Sequence, residues 1–252
     1  MSLLLSERRD GVLILTLNDT GRRNILSAEL SGMLTEAVLA AGDDLRVKAL
    51  IVTGAGSAFC AGARLNDLEA AAAGDDSAVQ AVYRAFLTVA DCPLPTIAAV
   101  NGPAVGAGLN LALACDMRVA VPDAPFDTRF LQIGLHPGGG HGWMLLRAVG
   151  WAMASRMLLG QQVLRGEAAL AARLVEQLCA PEDLLATALA IAAPMAASPR
   201  DLLLRTKASL RHAACHDHAA AFAHETAEQA WSLGQPAFRE LVEGLRAKIA
   251  ER

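Results

Sequence analysis

At 252 residues the chain is long enough to bury one large core, or a core with an appendage, without disulfide or metal staples. Hydrophobic residues make up 54% of it and charged residues 19%, which excludes intrinsic disorder. The net charge of -4 leaves no basic excess to hold nucleic acid, although local arginines can serve a phosphate-bearing small ligand. The five cysteines (Cys60, Cys92, Cys115, Cys179 and Cys215) are odd in number, scattered and free of any C-x-x-C pair, which argues against a disulfide framework or a Cys-rich zinc site. Met1–Asp10 lacks the apolar run of a signal peptide. The longest uncharged stretch, Cys92–Cys115, is broken by Pro93, Pro95, Asn101, Pro103 and Asn110, so no membrane span is expected. The expected location is the cytoplasm.

In chain order, Val12–Leu17 is a β-rich apolar run, and Ser27 opens a helix with Glu29 and Glu36 on its polar side. Lys48–Thr53 reads as a second buried strand, ended by Gly54-Ala-Gly56. Ala78–Ala90 is predicted helical, bounded by Pro93 and Pro95. Thr96–Val100 is a third strand, Gly106–Ala114 a short buried helix and Met117–Val121 a fourth strand. Such alternation indicates parallel β-α units. From His141 onward the chain is Ala- and Leu-rich helix, punctuated by Pro181, Pro194, Pro199 and Pro236. The predicted organisation is an α/β core over residues 1–195 and a helical region over 196–252.

Two Gly-rich segments stand at strand ends, Phe59–Leu65 and Asn101–Asn110. Small residues there let the backbone approach a ligand, and a helix beginning near Gly106 presents free N–H groups to a phosphate or an oxyanion. The competing reading is close packing of a helix on a sheet. The glycines lack the G-x-G-x-x-G spacing, and no P-loop or G-x-S-x-G elbow occurs, which disfavours Rossmann, P-loop and α/β-hydrolase assignments.

Taken together, these segments resemble the crotonase, or enoyl-CoA hydratase/isomerase, superfamily. Asn24-Ile-Leu-Ser27 is similar to its N-A-L-S lead into the first helix, and Phe59–Ala63 to its F-C-A-G-A segment. Ala99–Gly102 with Gly106–Gly108 resembles A-V-N-G…G-G-G, and Ala114–Arg118 resembles the A-x-C-D-x-R strand. Phe126–Gly140 is similar to F-x-x-x-E-x-x-x-G-x-x-P-x-x-G. Leu245–Arg252, with Lys248, falls where the family carries a basic C-terminal helix.

The resemblance implies a ββα-repeat spiral core, a helical C-terminal region used in trimerisation, and homotrimers or hexamers. It implies an acyl-CoA thioester as substrate, with coenzyme A entering as part of that substrate and no resident cofactor or metal. The backbone N–H groups of Ala63 and Ala107 fall at its oxyanion hole. Arg22, Arg23, Ala61, Arg64, Leu65 and Asn66 fall along the substrate, and arginine suits phosphate through its fork of donors.

The two glutamates that activate water in the family's hydratases are replaced by Asn110 and Phe130. The aspartate that some isomerases place after the proline is replaced by Gly138, after Pro137. The nearest acid/base candidates in sequence are His141, His136 and Asp127, with activity expected to rise through the ordinary histidine range. Asp127 paired with Arg129, and histidines that only pack or cap, are the competing readings. The function expected is acyl-CoA enolate chemistry by a base other than glutamate; the alternative is a non-catalytic acyl-CoA-binding protein. His212 and His216 have the i, i+4 spacing of metal ligands, but no third ligand is evident and an exposed polar face is expected.

Overall fold

A computed structural model describes residues 2–250, with Ala250 described in its backbone only. Met1, Glu251 and Arg252 lie outside the described residues, so the segments Met1–Asp10 and Leu245–Arg252 are described only in part. The chain divides into two compact units between Ala196 and Ala197.

The first unit opens with an antiparallel hairpin, β1 (Leu4–Arg9) and β2 (Val12–Leu17), closed by the two-residue turn Asp10-Gly11. Both turn residues have positive φ, +46° and +82°, as such a turn requires. Then follow α1 (Ala28–Asp43), β3 (Ala49–Gly54), α2 (Leu65–Ala72), α3 (Ser77–Asp91), β4 (Thr96–Val100), β5 (Ala104–Val105), α4 (Ala107–Ala114), β6 (Met117–Ala120) and β7 (Phe126–Asp127). The unit closes with α5 (His141–Leu158), α6 (Gly166–Ala171), β8 (Gln177–Leu178) and α7 (Leu184–Ala197). The main sheet has the order β1-β2-β3-β4-β6-β8, parallel from β2 onward.

A second set of short pairings lies beyond the ends of these strands. Leu26 bridges Ala63, Cys60 bridges Ala104, β5 pairs with β7, and Phe126 bridges Leu164. Each long strand from β2 to β6 (except β5) is thus followed by a short bridged segment and then by helix. This is the ββα repeat, and the fold is a mixed α/β core with a helical C-terminal region.

The motif residues explain themselves as fasteners. The Asn24 amide, fully buried, donates to the carbonyls of Ala55 (2.9 Å) and Ala58 (2.8 Å). The Asn101 amide donates to Gly56 O (3.1 Å), and its oxygen accepts from Gly54 N–H (3.1 Å). Together they fix the loop that delivers Phe59–Ala63. Asp116 accepts from both Thr96 N–H (2.7 Å) and its hydroxyl (3.0 Å), tying β6 to β4. Arg118, buried on β6, donates to the carbonyls of Leu174 (2.6 Å) and Cys115 (2.9 Å) and pairs with Glu176 (2.9 Å).

The four strands predicted from sequence and the helices after Ser27, Asp76, Gly106 and Gly140 are present to within a residue or two. Pro194 is a correction: it lies inside α7 rather than ending it. Pro199 instead caps α8 (Arg200–Ala213), and Pro236 occupies the first position of α10 (Pro236–Ala250), where a missing N–H costs nothing. α9 (His218–Leu233) lies between them and pairs with α8 through Arg205–Glu228 (2.9 Å) and Arg205 stacked over Trp231. His212 is stacked between His216 and His224. Among the described residues no group of three His, Cys, Asp or Glu is placed to hold a metal ion, and no helix is long and apolar enough to cross a membrane.

Arg118→Met should lower the unfolding free energy by roughly 2–4 kcal/mol, because it leaves two buried carbonyls without donors. Urea denaturation checks this; a change below about 0.5 kcal/mol would contradict the fastening role.

Candidate active site

The cavity is built by backbone, and its position follows from hydrogen bonds among four segments. Ala61 N–H donates to Arg23 O (3.0 Å), and Leu26 N–H to Gly62 O (2.8 Å). Cys60 N–H donates to Pro103 O (3.0 Å), Val105 N–H returns to Cys60 O (3.0 Å), and Gly106 N–H donates to Asp127 O (2.9 Å). Two glycines permit this lacing. Gly62 has φ +100°, and a Cβ there would stand 2.7 Å from Val105 O. At Gly108 a Cβ would stand 2.1 Å from Cys60 O.

Between these segments and α3 lies a cavity of about 530 Å³. Of the residues expected from sequence, Ala61, Ala63, Arg64, Leu65, Asn66, Ala107, Asn110 and Phe130 line it. Ala107 is the first residue of α4, whose eight residues are all buried, so the helix's positive end opens on the cavity. Among the described residues neither the Ala63 nor the Ala107 N–H donates to another protein group. Much of the remaining wall is apolar, including Ile25, Leu68, Val79, Val82, Ile133 and Leu135.

Arg22, Arg23, Asp127, His136 and His141 are not among the residues that line this cavity; Arg23 and Asp127 line a neighbouring one that shares Ala61, Val105 and Arg129 with it. Arg22 pairs with Asp19 (2.9 Å), and Arg23 contributes its carbonyl, from a left-handed backbone. Asp127 is buried, and both its oxygens are taken by Arg129, through the backbone N–H (2.9 Å) and the guanidinium (2.8 Å at Nε). His136 is exposed and its Nδ1 is bonded to the carbonyl of Pro137 (2.8 Å).

His141, the first residue of α5, is buried behind the wall. Asn110 gives its amide N–H to Gly138 O (3.1 Å), so its Oδ1 faces His141 Nδ1 and the ring carries its hydrogen there. Nε2 is buried without a partner, and Phe130 packs edge-on against the ring with centroids 4.8 Å apart. Burial pushes the His141 pKa down to about 4. The expectation of titration in the ordinary histidine range is therefore corrected. Cys60, in the Phe59–Ala63 segment, is fully buried, and burial pushes its thiol up to about 12.

Sequence reasoning missed Tyr83, Thr128 and Arg129 as lining residues. Tyr83 is the only tyrosine of the chain, but Val79, Val82, Tyr83 and Phe86 recur at helical spacing and read as core.

A family model for enoyl-CoA hydratase/isomerase matches residues 7–247. The chain is 46% identical over 235 residues to a Mycobacterium tuberculosis (strain H37Rv) protein named probable enoyl-CoA hydratase EchA14, covering 90% of this chain and 91% of the relative. It is 37% identical over 216 residues to the 2,3-dehydroadipyl-CoA hydratase of Escherichia coli K12, covering 84% and 82% respectively. The crystal structure of an enoyl-CoA hydratase from Polaromonas sp. JS666 superposes with a TM-score of 0.89 at 30% identity, covering 99% of this chain and 97% of that one.

The buried imidazole gives a stability test. The unfolded ring takes up a proton near 6.5, the native one only near 4, so within that window the unfolded chain binds more protons and stability falls as pH falls. The loss amounts to about 2–3 kcal/mol across the window. His141→Gln should remove this share of the acid sensitivity in urea unfolding series run at neutral pH and near pH 4. Identical pH dependence in variant and parent would refute it.

Proposed function

The chain belongs to the enoyl-CoA hydratase/isomerase family, and on that premise we propose that it is an enzyme that stabilises the enolate of an acyl-CoA thioester. The observation that carries this reading is the pair of unpartnered N–H groups, Ala63 and Ala107, on the wall of one cavity. Two such donors hold a thioester oxygen, and hold it more tightly as negative charge develops on it during enolate formation. This reading assigns Arg64 and Asn66, which line the cavity at the start of α2, to the nucleotide half of the substrate, and the apolar wall suits an acyl chain of hydrocarbon character.

Among the described residues no carboxylate lines the cavity, and the sequence resemblance assigns Asn110 and Phe130, both on its wall, to the positions of a hydratase's glutamates. This supports proton transfer at the α-carbon, as in isomerisation or another enolate reaction, rather than water addition directed by two carboxylates. The same lack supports the second reading, a binding protein without turnover. Action as a homotrimer or hexamer belongs to the proposal, and exposed Trp143, Trp151 and Leu159 supply apolar surface for a second copy. So does action in the cytoplasm, which the five free thiols favour.

Titration calorimetry with acetyl-CoA and a longer acyl-CoA should give binding, with free CoA binding more weakly. No binding of any thioester up to millimolar concentration removes the proposal. Exchange of the thioester's α-protons with deuterated solvent separates enzyme from carrier, since exchange needs a base beside the oxyanion site. Ala107→Pro deletes one donor at a helix position that tolerates proline, and should slow exchange by roughly 10²–10³.

A further inference from the structure

We infer that Tyr83 is the proton-transfer group of this site, an inference that rests on the thioester reading above. Six residues with polar side chains line the cavity: Arg64, Asn66, Tyr83, Asn110, Thr128 and Arg129. Five of them are unsuited to moving a proton. The two guanidiniums stay protonated, and the two amides neither give nor take a proton near neutrality. The Thr128 hydroxyl is buried and given to Met157 O (3.1 Å). Only the phenol of Tyr83 remains.

Its placement is built, not incidental. Tyr83 stands on α3 with its ring tilted against Phe86, centroids 5.8 Å apart, and reaches the loop before α5. A Cβ on Gly138 would lie 2.1 Å from the Tyr83 Oη, and one on Gly139 3.1 Å from its ring. The bare Gly138-Gly139 backbone therefore makes the room that the phenol fills. Asn110, three residues after Ala107 on α4, donates to the carbonyl of that same Gly138. The hydroxyl thus borders the place where the family's first glutamate is replaced. It makes no hydrogen bond to protein among the described residues, so its donor and acceptor capacity is turned over to what occupies the cavity.

The step is a balanced proton transfer. After its own proton has passed to solvent in the cavity, the Tyr83 oxygen takes the proton from the thioester α-carbon, and the C–H electron pair moves into the enolate. The resulting oxyanion is held by the Ala63 and Ala107 N–H groups. In the reverse direction the phenol returns a proton to the α- or the γ-carbon of an unsaturated acyl group, which yields exchange or double-bond migration with no oxidant, reductant or added co-reactant.

Tyr83→Phe keeps the ring that packs against Phe86 and removes only the hydroxyl. With acetyl-CoA and a 3-enoyl-CoA as probes, the variant should bind within about threefold of the parent by calorimetry. It should slow α-proton exchange by roughly 10²–10⁴. A variant that binds and exchanges as the parent does overturns the role of Tyr83 and leaves the thioester reading intact. A parent protein that binds thioesters without exchanging their α-protons overturns the role of Tyr83 while keeping the ligand. A parent that binds no thioester overturns both.

Discussion

The structure depends on one steric constraint: two loops that follow different strands must come within backbone contact of each other. Cys60 O accepts from Val105 N–H, and it stands where a Cβ on Gly108 would be. Val105 O stands where a Cβ on Gly62 would be. Only with both positions bare can Ala63 and Ala107 open on the same cavity, one from an irregular bridge and the other from the first turn of a buried helix. A methyl at either glycine would collide with backbone, which cannot rotate away as a flexible side chain can. The asparagines at 24 and 101 serve the same constraint from behind, since they hold the 54–58 loop whose course fixes Phe59–Ala63.

This explains which parts were legible in the sequence. β2, β3, β4 and β6 are buried in continuous or near-continuous apolar runs, as parallel strands with both faces covered must be. β1 was missed because only Leu4 is buried and Glu7, Arg8 and Arg9 face solvent, as on an edge strand. Its one signal was the Asp10-Gly11 turn, a hairpin signature beside the legible β2. α2 was missed because its residues Leu65–Ala72 bury nothing fully and so impose no apolar period. The two-residue strands β5 and β7 are below the length at which alternation carries information, although their place in the repeat follows from the resemblance.

The site divides along the same line. The close approach that opens Ala63 and Ala107 on one cavity was legible because its signal is a local demand for small residues, written within a few positions of the groups themselves. The proton-transfer side chain was not, because its neighbours come from elsewhere in the chain. Nearness in sequence drew attention to His136, His141 and Asp127, yet none of them lines the cavity. Tyr83 lies more than fifty residues before Gly138, on a helix whose spacing alone indicates core.

The replacements at 110 and 130 are physically coupled through His141. A carboxylate at 130 needs solvation or a cationic neighbour, and the edge of a buried imidazole in an apolar pocket gives it neither unless the ring is protonated. Phe130 removes that demand and packs on the ring face to edge. The neutral ring then has one hydrogen to place, and Asn110 receives it while its own amide N–H holds Gly138. A glutamate at 110 would accept from His141 but offer nothing to the Gly138 carbonyl when ionised, so the loop that borders Tyr83 would lose its tether. Asn110, Phe130 and His141 therefore form one neutral, hydrogen-bonded wall rather than a damaged acid/base pair. Such a wall is compatible with catalysis only if another group at the cavity carries the moving proton, and the phenol that α3 brings against Gly138 stands directly beside it.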